Sequence, residues 1–433
     1  MNLKLSRSSV FSNKTIAITG SKSETNRLLL LQALYPEIQI ENSSNSDDSE
    51  VMQKALLSKD AIIDIHHAGT AMRFLTAYFA VQEGKEVVLT GSDRMKERPI
   101  KILVDALQQL GAEITYEENE GFPPIRIKGK KITKNKVTLK ADVSSQYISA
   151  LLLIAPKLEN GLELTLEGEI TSIPYIKMTL ALLNEIGVKT SFIDNIIRIE
   201  HLSQIRPLGV RGLIESDWSS ASYWYSIIAL SEVGTQITLS IYKQNSLQGD
   251  SALVDIYSNY GVKTVFNQNS AITISKENDM SEDSEPTTDN RQLTTFNLNN
   301  CPDIAQTIAV TCFGLGMGCE LSGLHTLKIK ETDRLEALKT ELSKLGAEIS
   351  VTNDSLSLKS NSLFISSNSI PLEGCLKGGV ATYQDHRMAM AFAPLALRTA
   401  IKIENAEVVS KSYPTFWDDL KEVGFEFSIN NTI

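Results

Sequence analysis

The chain has 433 residues, of which 42% are hydrophobic and 22% charged, and a formal net charge of -10. That is enough folded chain for about two or three domains, and the acidic balance argues against nonspecific nucleic-acid binding or attachment to an anionic membrane surface, both of which need a basic face. MNLKLSRSSVF lacks the apolar core of a signal peptide, no apolar run would span a bilayer, and Cys301, Cys312, Cys319 and Cys375 have no paired ligand spacing. A cytoplasmic protein with reduced, buried thiols and no zinc site is therefore expected.

Taken in chain order, a strand at Thr15 to Thr19 leads into the polar junction GSKSETNR and the helix TNRLLLLQAL, which is too apolar for a surface position. DDSEVMQKALLSKDAIIDI is an amphipathic helix followed by a strand, without a closing glycine. A second junction, HHAGTAMR, opens the apolar helix TAMRFLTAYFAV. The basic loop RMKERP then precedes LVDALQQLGAEITY, an amphipathic helix ended by Gly111 and followed by a strand. The pair repeats as SSQYISALLLIA with LALLNEIGVKTSF, SASYWYSIIAL with LVDIYSNYGVKTVF, PDIAQTIAVTCFGLG with LEALKTELSKLGAEISV, and DHRMAMAFAPLAL with FWDDLKEVGFEFSI.

Five closing glycines, Gly111, Gly187, Gly261, Gly346 and Gly424, recur at roughly 75 to 85 residues, so each period holds two helices and several strands. The unit reads as strand, polar junction, buried helix, strand, amphipathic helix and strands, six times over if the glycine-less copy counts as degenerate. This predicts an α/β fold with mixed sheets. IRPLGVRGLIESDW is punctuated by Pro and Gly after the third copy and places a boundary near Arg211 to Ser216. KENDMSEDSEPTTDNRQ, from Lys276 to Gln292, is acidic and almost free of apolar residues, and reads as a mobile surface insertion.

The junctions carry the chemistry. Lys22, Ser23 and Arg27 lie at the first; Gly69, Thr70 and Arg73 at the next; Arg94, Lys96 and Arg98 sit in RMKERP; Ser144, Ser145 and Gln146 follow. In the second half come Asp303, then Lys330, Glu331 and Arg334 in KETDR, then Asp385 and Arg387 in QDHR, and Lys411 in VSKSYP. Cations are unfavourable at a helix N-terminus unless an anion joins them, and free N-H groups there already suit phosphate or carboxylate. The junctions also have ordinary readings: caps at Ser21 with Glu24, at Ser144 or Ser145 before a buried helix, at Asp303 after Pro302 and at Asp333 with Glu336, a plain turn at Gly69 and Thr70, and a solvated loop at RMKERP. Asp303 and Glu331 are the acid and base candidates. The adjacent His66 and His67 point apart and make a poor metal pair. A Walker A loop, a serine elbow and a dinucleotide fingerprint are all missing, which leaves a cofactor-free reaction between phosphorylated small molecules.

In this order, SKSETNR, AGTAMR, RMKERP, SSQY, SIPY, KETDR, ATYQDHRMAMAF and SKSYPTFWDDL resemble the 5-enolpyruvylshikimate-3-phosphate (EPSP) synthases, from about Gly20 to Leu420. The resemblance implies transfer of the enolpyruvyl group of phosphoenolpyruvate to the 5-hydroxyl of shikimate 3-phosphate, with release of phosphate, in aromatic amino acid biosynthesis. It also implies a two-domain inside-out α/β barrel, three βαβαββ repeats to each domain, closing over substrates at the hinge. On that pattern residues 1-19 with 216-433 form one lobe, which holds the acidic insertion 276-292, and 20-211 form the other, with hinges near 19-21 and 211-216. No cofactor or metal is implied, and a monomer acting on two small molecules in the cytoplasm is expected.

Carried across position by position, the resemblance assigns phosphoenolpyruvate to Lys22, Gly69, Arg94, Gln146, Arg334, Arg387 and Lys411. Shikimate 3-phosphate falls to Ser23, Arg27, Ser144, Ser145, Gln146, Ser172, Tyr175, Asp303, Thr326 and Lys330. Proton transfers fall to Asp303, Glu331 and Lys22. Three positions depart from the family pattern: His67 and Phe74 stand where Asn and Pro are usual, and Thr326 where Asn usually touches the substrate phosphate. The first two bear on inhibitor sensitivity more than on activity. Of the alternatives, the related transferase acting on UDP-N-acetylglucosamine usually has a cysteine in the loop that reads RMKERP here. A silent binding protein of the same fold would have no use for both Asp303 and Glu331. The sequence predicts that Lys22→Ala and Arg334→Ala impair phosphoenolpyruvate use with the fold intact, and that Asp303→Ala keeps binding but loses turnover.

Overall fold

One plan of strand pairing recurs through the computed structural model, which describes residues 1-140, 144-168, 170-203, 211-278, 293-360 and 379-430. In its full form two strands pair in parallel across a buried helix, and an antiparallel hairpin joins the second strand after an amphipathic helix. Ile62–Asp64, Glu86–Thr90, Ile125–Lys128 and Glu113–Tyr116 make such a sheet in that spatial order. Lys136–Lys140, Leu162–Glu167, Ile196–Ile199 and Thr190–Ile193 make a second. Thr294–Asn297, Cys319–Ser322, Leu356–Leu358 and Ile349–Val351 make a third. The parallel pair forces a crossover, and the apolar helix supplies it.

The chain divides into two compact units, Met1–Thr19 with Ser216–Ile433, and Gly20–Glu215. The division cuts through a repeat. Lys14–Ile16 pairs in parallel with Gln236–Leu239, which carries the hairpin of Ile272–Lys276 and Val262–Phe266, so the whole of Gly20–Glu215 is inserted between a first strand and its buried helix. The last sheet is completed from the other end of the chain. Val380 bridges Ile403 in parallel, Asn2–Leu5 pairs antiparallel with both Ile401–Ile403 and Phe427–Asn430, and the amino-terminal strand thus stands where a hairpin strand would.

The glycine-less copy is the exception. Helix Asp47–Leu57 ends at Ser58 in extended backbone, and Ile62–Asp64 already belongs to the next sheet, so no hairpin forms among the described residues. Its parallel pair is Gln39–Glu41 with Arg211–Leu213, and the Ile214 amide donates to the Glu41 carbonyl at 3.0 Å. Residues 211-215 therefore go with Gly20–Glu215. At the five glycines that close the other copies φ is positive, from 73° at Gly261 to 103° at Gly111 and Gly424, the left-handed turn that lets the chain leave the helix directly into a strand.

Each unit has its own apolar core, centred on the apolar helices. Every residue of Gly69–Ala80 is buried, as are all but Ser219 in Trp218–Ala229. The helix at DHRMAMAFAPLAL is shorter than its apolar run: His386–Phe392 is α-helical, and Ala393–Leu397 tightens into a 3-10 turn at Pro394. Lys276 corrects the acidic-insertion reading. It is the last residue of a strand, 2% exposed, with Nζ donating to the Tyr260 carbonyl at 2.9 Å. Residues 279-292 of that stretch, and Cys375, lie outside the described residues, while Cys301, Cys312 and Cys319 are buried free thiols. Among the described residues no helix is long and apolar enough to cross a membrane.

Candidate active site

In the unit Met1–Thr19 with Ser216–Ile433, the junctions before three helices bring their charges onto one another. Asp333 caps helix Arg334–Lys344, its carboxylate accepting from the Leu335 and Glu336 amides, both at 3.2 Å. The cap fixes the first residue, Arg334, whose side chain is 2% exposed. Its Nη1 donates to Asp303 at 2.9 Å, Nη2 to Glu331 at 2.8 Å, and Nε to Asp385 at 2.6 Å, with a second bond to Asp385 at 3.3 Å. Three carboxylates from three segments thus share one guanidinium.

Asp303, in the 3-10 turn Pro302–Ile304 that opens helix Ala305–Leu315, also meets Lys330 Nζ at 3.3 Å and Arg387 Nη2 at 3.2 Å. Asp385 caps His386–Phe392 by accepting from the Arg387 amide at 2.9 Å, so the residue that orients Arg334 also starts the helix presenting Arg387. Arg387 Nη2 reaches Ser219 Oγ at 3.2 Å, and Ser219 in turn donates to Asp250. Lys411 donates to the Gln384 carbonyl at 2.7 Å. Thr326 Oγ1 is buried and makes no hydrogen bond among the described residues.

Burial would push the Asp303 carboxyl up, but Arg387, Lys330 and Arg334 outweigh it and hold it far below the usual carboxylate range, although 19% of the side chain is exposed. Lys330 is pulled down by burial, partly offset by Asp303. Burial would also lower Arg334, and Asp385, Glu331 and Asp303 raise it instead. Asp250 goes the other way: 1% exposed and repelled by Asp303, it is pushed up to about 7 despite Arg387 and Ser219, and among the described residues its Oδ1 makes no hydrogen bond.

A pH effect follows from Asp250. Between its ordinary value of 3.8 and about 7 the folded protein keeps a proton that the unfolded chain has lost. The folded state then binds more protons, so this group's contribution makes stability fall as pH rises through that window and level off above it. Asp250→Asn is expected to be more stable than the parent at pH 8, by on the order of a few kcal/mol, with the gain fading toward pH 4. Urea unfolding at the two pH values measures this.

The unit Gly20–Glu215 gathers a second set. Lys22 opens helix Lys22–Leu34 and lies 3.4 Å from Asp48 of the helix capped by Ser46. Arg27, one turn on, is 2% exposed and donates to Thr179 at 2.8 Å, Ser149 at 2.9 Å and the Ser23 and Tyr175 carbonyls at 2.7 and 3.3 Å. Its guanidinium lies 5.4 Å from the Phe74 ring centre and 5.9 Å from that of Tyr175, and burial pushes it down to about 10. The departure at Phe74 is thus the floor under Arg27, and Arg27 joins its own helix to helices Ser145–Ile154 and Ile173–Glu185 through hydrogen bonds.

Gly69 starts helix Gly69–Ala80, and a Cβ there would stand 2.6 Å from Arg98 Nη1, so only glycine leaves the guanidinium in place. Gln146 Nε2 donates to Thr70 at 3.1 Å. Ser144 caps Ser145–Ile154 by accepting from the Gln146 amide at 3.4 Å, and Ser145 is buried. Ser172 precedes Ile173–Glu185 in left-handed backbone, φ 53°, without using its side chain as a cap, and Tyr175 lies in the first turn. Arg94 stands apart: 51% of its side chain is exposed and its partner is Glu97 at 2.9 Å.

Sequence reading singled out neither Asp48, Ser219 nor Asp250. Asp48 looks like a first-turn acid beside Asp47, and the Ser219 to Asp250 link joins segments 31 residues apart. Among the described residues no group of three or more His, Cys, Asp or Glu side chains is placed to share a metal ion.

The model of the family "EPSP synthase (3-phosphoshikimate 1-carboxyvinyltransferase)" matches residues 53-420. The chain belongs to the EPSP synthase family. The 3-phosphoshikimate 1-carboxyvinyltransferase of Bacteroides fragilis is 44% identical over 420 residues, 96% of each chain, and that of Haemophilus influenzae Rd is 35% identical over 447 aligned positions, 94% of this chain and 96% of the other. A solved structure of EPSP synthase from Acinetobacter baumannii superposes with a TM-score of 0.75 at 18% identity, covering 99% of this chain and 100% of that one. The mixed α/β fold is that of the EPSP synthases. Asp303, Glu331, Arg334, Asp385 and Arg387 all fall inside the stretch the family model matches, whereas Lys22 and Arg27 precede it.

Proposed function

We propose that this chain transfers the enolpyruvyl group of phosphoenolpyruvate to the 5-hydroxyl of shikimate 3-phosphate, releasing phosphate, as an enzyme of the shikimate pathway. The observation that carries the assignment to a working catalyst is Asp303, a partly exposed carboxylate with Lys330, Arg334 and Arg387 all within 3.3 Å. A binding protein needs the cations; the carboxylates set among them are needed for moving protons.

Phosphoenolpyruvate is assigned to Lys22, Gly69, Arg94, Gln146, Arg334, Arg387 and Lys411. Shikimate 3-phosphate is assigned to Ser23, Arg27, Ser144, Ser145, Gln146, Ser172, Tyr175, Asp303, Thr326 and Lys330. Each substrate brings a phosphate of about -1.5 to -2 charges and a carboxylate, so several fixed cations are required to hold the pair. The open Thr326 Oγ1 suits a phosphate oxygen. Of Arg334 and Arg387, Arg387 is the better anion ligand: among the described residues its Nη2 carries both of its side-chain hydrogen bonds, whereas Arg334 is bound to carboxylates through all three nitrogens.

Asp303 and Glu331, with Lys22, are assigned the proton transfers between the 5-hydroxyl and the methylene carbon. As it stands, Asp303 is a weak base, because its cations hold the proton affinity down. Bound anions neutralise those cations and raise that affinity, so the base gains strength when both substrates are present. We further propose that each unit is half of a two-domain inside-out barrel with hinges near 19-21 and 211-216, and that the enzyme is a cytoplasmic monomer without metal or cofactor. Titration with both substrates while phosphate release is assayed tests the function: release requiring both is expected, and tight binding of both without release would assign the chain to the silent class.

A further inference from the structure

Helix Arg334–Lys344 reaches the site at its first residue, yet a second charged side chain two turns further on is also fully enclosed. Glu341 is 0% exposed. A buried carboxylate is costly unless its oxygens are satisfied, and here each has two partners. Oε1 accepts from the Tyr383 hydroxyl at 2.6 Å and from Lys344 Nζ at 2.8 Å, and Oε2 accepts from Lys344 at 2.8 Å and from the Ala381 amide at 3.3 Å. Lys344 is a neighbour on the same helix, 43% exposed. The other two donors belong to the segment that precedes helix His386–Phe392.

That segment is bent against its preference. Tyr383 and Gln384 both have positive φ, 53° and 57°, a conformation costing non-glycine residues on the order of 1 kcal/mol or more each and kept only where surroundings enforce it. The bend sets up consecutive tasks. The Gln384 carbonyl accepts from Lys411 Nζ, the Asp385 carboxylate takes two bonds from Arg334, and its Oδ1 also caps the helix that presents Arg387. Three cations of the unit are therefore placed by residues 384 and 385, while residues 381 and 383 are fastened to Glu341.

We propose that Glu341 is a positioning residue that, through the Tyr383 hydroxyl and the Ala381 amide, holds the Ala381 to Asp385 bend and so places Lys411 and Arg387 for the anionic substrate they share. This rests on the assignment of phosphoenolpyruvate to Lys411 and Arg387. Glu341 acts from behind the bend, and the variants affect affinity for that substrate more than the chemical step. The sequence conceals the role, since Glu341 lies among Leu338, Leu342 and Leu345 in a helix rich in exposed Glu and Lys.

Tyr383→Phe is the cleaner test, because Tyr383 is 37% exposed and the change removes only the hydroxyl. Its KM for phosphoenolpyruvate is expected to rise about tenfold, the factor for loss of a hydrogen bond to a charged acceptor, with kcat within about twofold and the KM for shikimate 3-phosphate unchanged. Glu341→Gln, a near-isostere that still accepts from Tyr383 but cannot serve every donor, is expected to show the same split to a smaller degree. Lys411→Ala is the control for the underlying assignment. If it leaves the KM for phosphoenolpyruvate unchanged, the assignment of that substrate fails. If it raises that KM while Tyr383→Phe alters only thermal stability, or both KM values equally, the positioning role is overturned and the assignment stands.

Discussion

Asp303→Asn is expected to lower turnover by about 10²- to 10⁴-fold, the range over which a positioned acid or base contributes, while both substrates still bind. Asn keeps the shape and one acceptor for Arg334 at the position now 2.9 Å away, so the site is not emptied, but it cannot take a proton. Steady-state kinetics with binding titrations measures the split, and near-parental turnover would remove Asp303 from the chemistry. The same variant has a stability signature. The folded-state proton affinity of Asp303 is depressed below that of the unfolded chain, so its contribution is present above the ordinary carboxylate range and lost as pH falls below it. The parent should therefore be the more stable of the two in urea at pH 7, with the two converging in acid, whereas at Asp250 it is the variant that is the more stable at high pH.

Arg334→Gln is the second large effect, and here the structure changes what the sequence predicts. A helix-start arginine facing an anion could be removed with the fold intact. Arg334 is instead 2% exposed and is the common partner of Asp303, Glu331 and Asp385. Removing it takes away the cation that three carboxylates share, although Asp303 keeps Lys330 and Arg387, and breaking a buried ion pair on one side costs about 3 to 5 kcal/mol. The expected result is loss of activity together with a lower denaturation midpoint, the latter shifted back by lower pH as the carboxylates take up protons. A variant inactive but as stable as the parent would show that the three carboxylates do not depend on this guanidinium. Arg334→Lys is expected to rescue little, since an ammonium cannot reproduce bonds from Nε, Nη1 and Nη2 at once.

Much of this unit was legible beforehand, and the reasons are local. Asp333, Glu336 and the Leu335, Leu338, Leu342 and Leu345 stripe define a capped amphipathic helix, and Gly346 ends it at φ 92°; caps, periodicity and left-handed glycines are written in neighbouring residues. The repeat followed from the same signals. What local pattern could not convey was which strands close which sheet. Asn2–Leu5 completes a sheet with residues near position 400 and beyond, and Lys14–Ile16 finds its parallel partner at Gln236–Leu239 across an entire inserted unit. Pairings of that span depend on which apolar faces remain uncovered after local folding, a global property.

The charged residues divide in the same way. Lys330, Glu331 and Arg334 announce themselves as a knot of charge before a helix, and Asp385 and Arg387 as another. That the two knots are one network through Arg334 emerges only from their folding together. Asp250 and Glu341 were hidden for a related reason. An acid in QGD or within KTELSK looks like a surface residue until the fold buries it, at 1% and 0% exposure, and its partners come from elsewhere: Ser219 for one, Ala381 and Tyr383 for the other. Arg27 shows the converse. Its sequence setting suits an anion ligand, and the fold uses its donors to join Ser23, Ser149, Tyr175 and Thr179.

The cations ordered around Asp303 and Asp385 are proposed to hold phosphoenolpyruvate. A crystal structure with phosphoenolpyruvate and shikimate 3-phosphate, grown from the inactive Asp303→Asn protein, tests this most directly. Phosphate or carboxylate oxygens of phosphoenolpyruvate are expected within hydrogen-bond distance of the Arg387 guanidinium and of Lys411 Nζ. Phosphoenolpyruvate bound elsewhere, with Arg387 and Lys411 keeping their present partners, would contradict it.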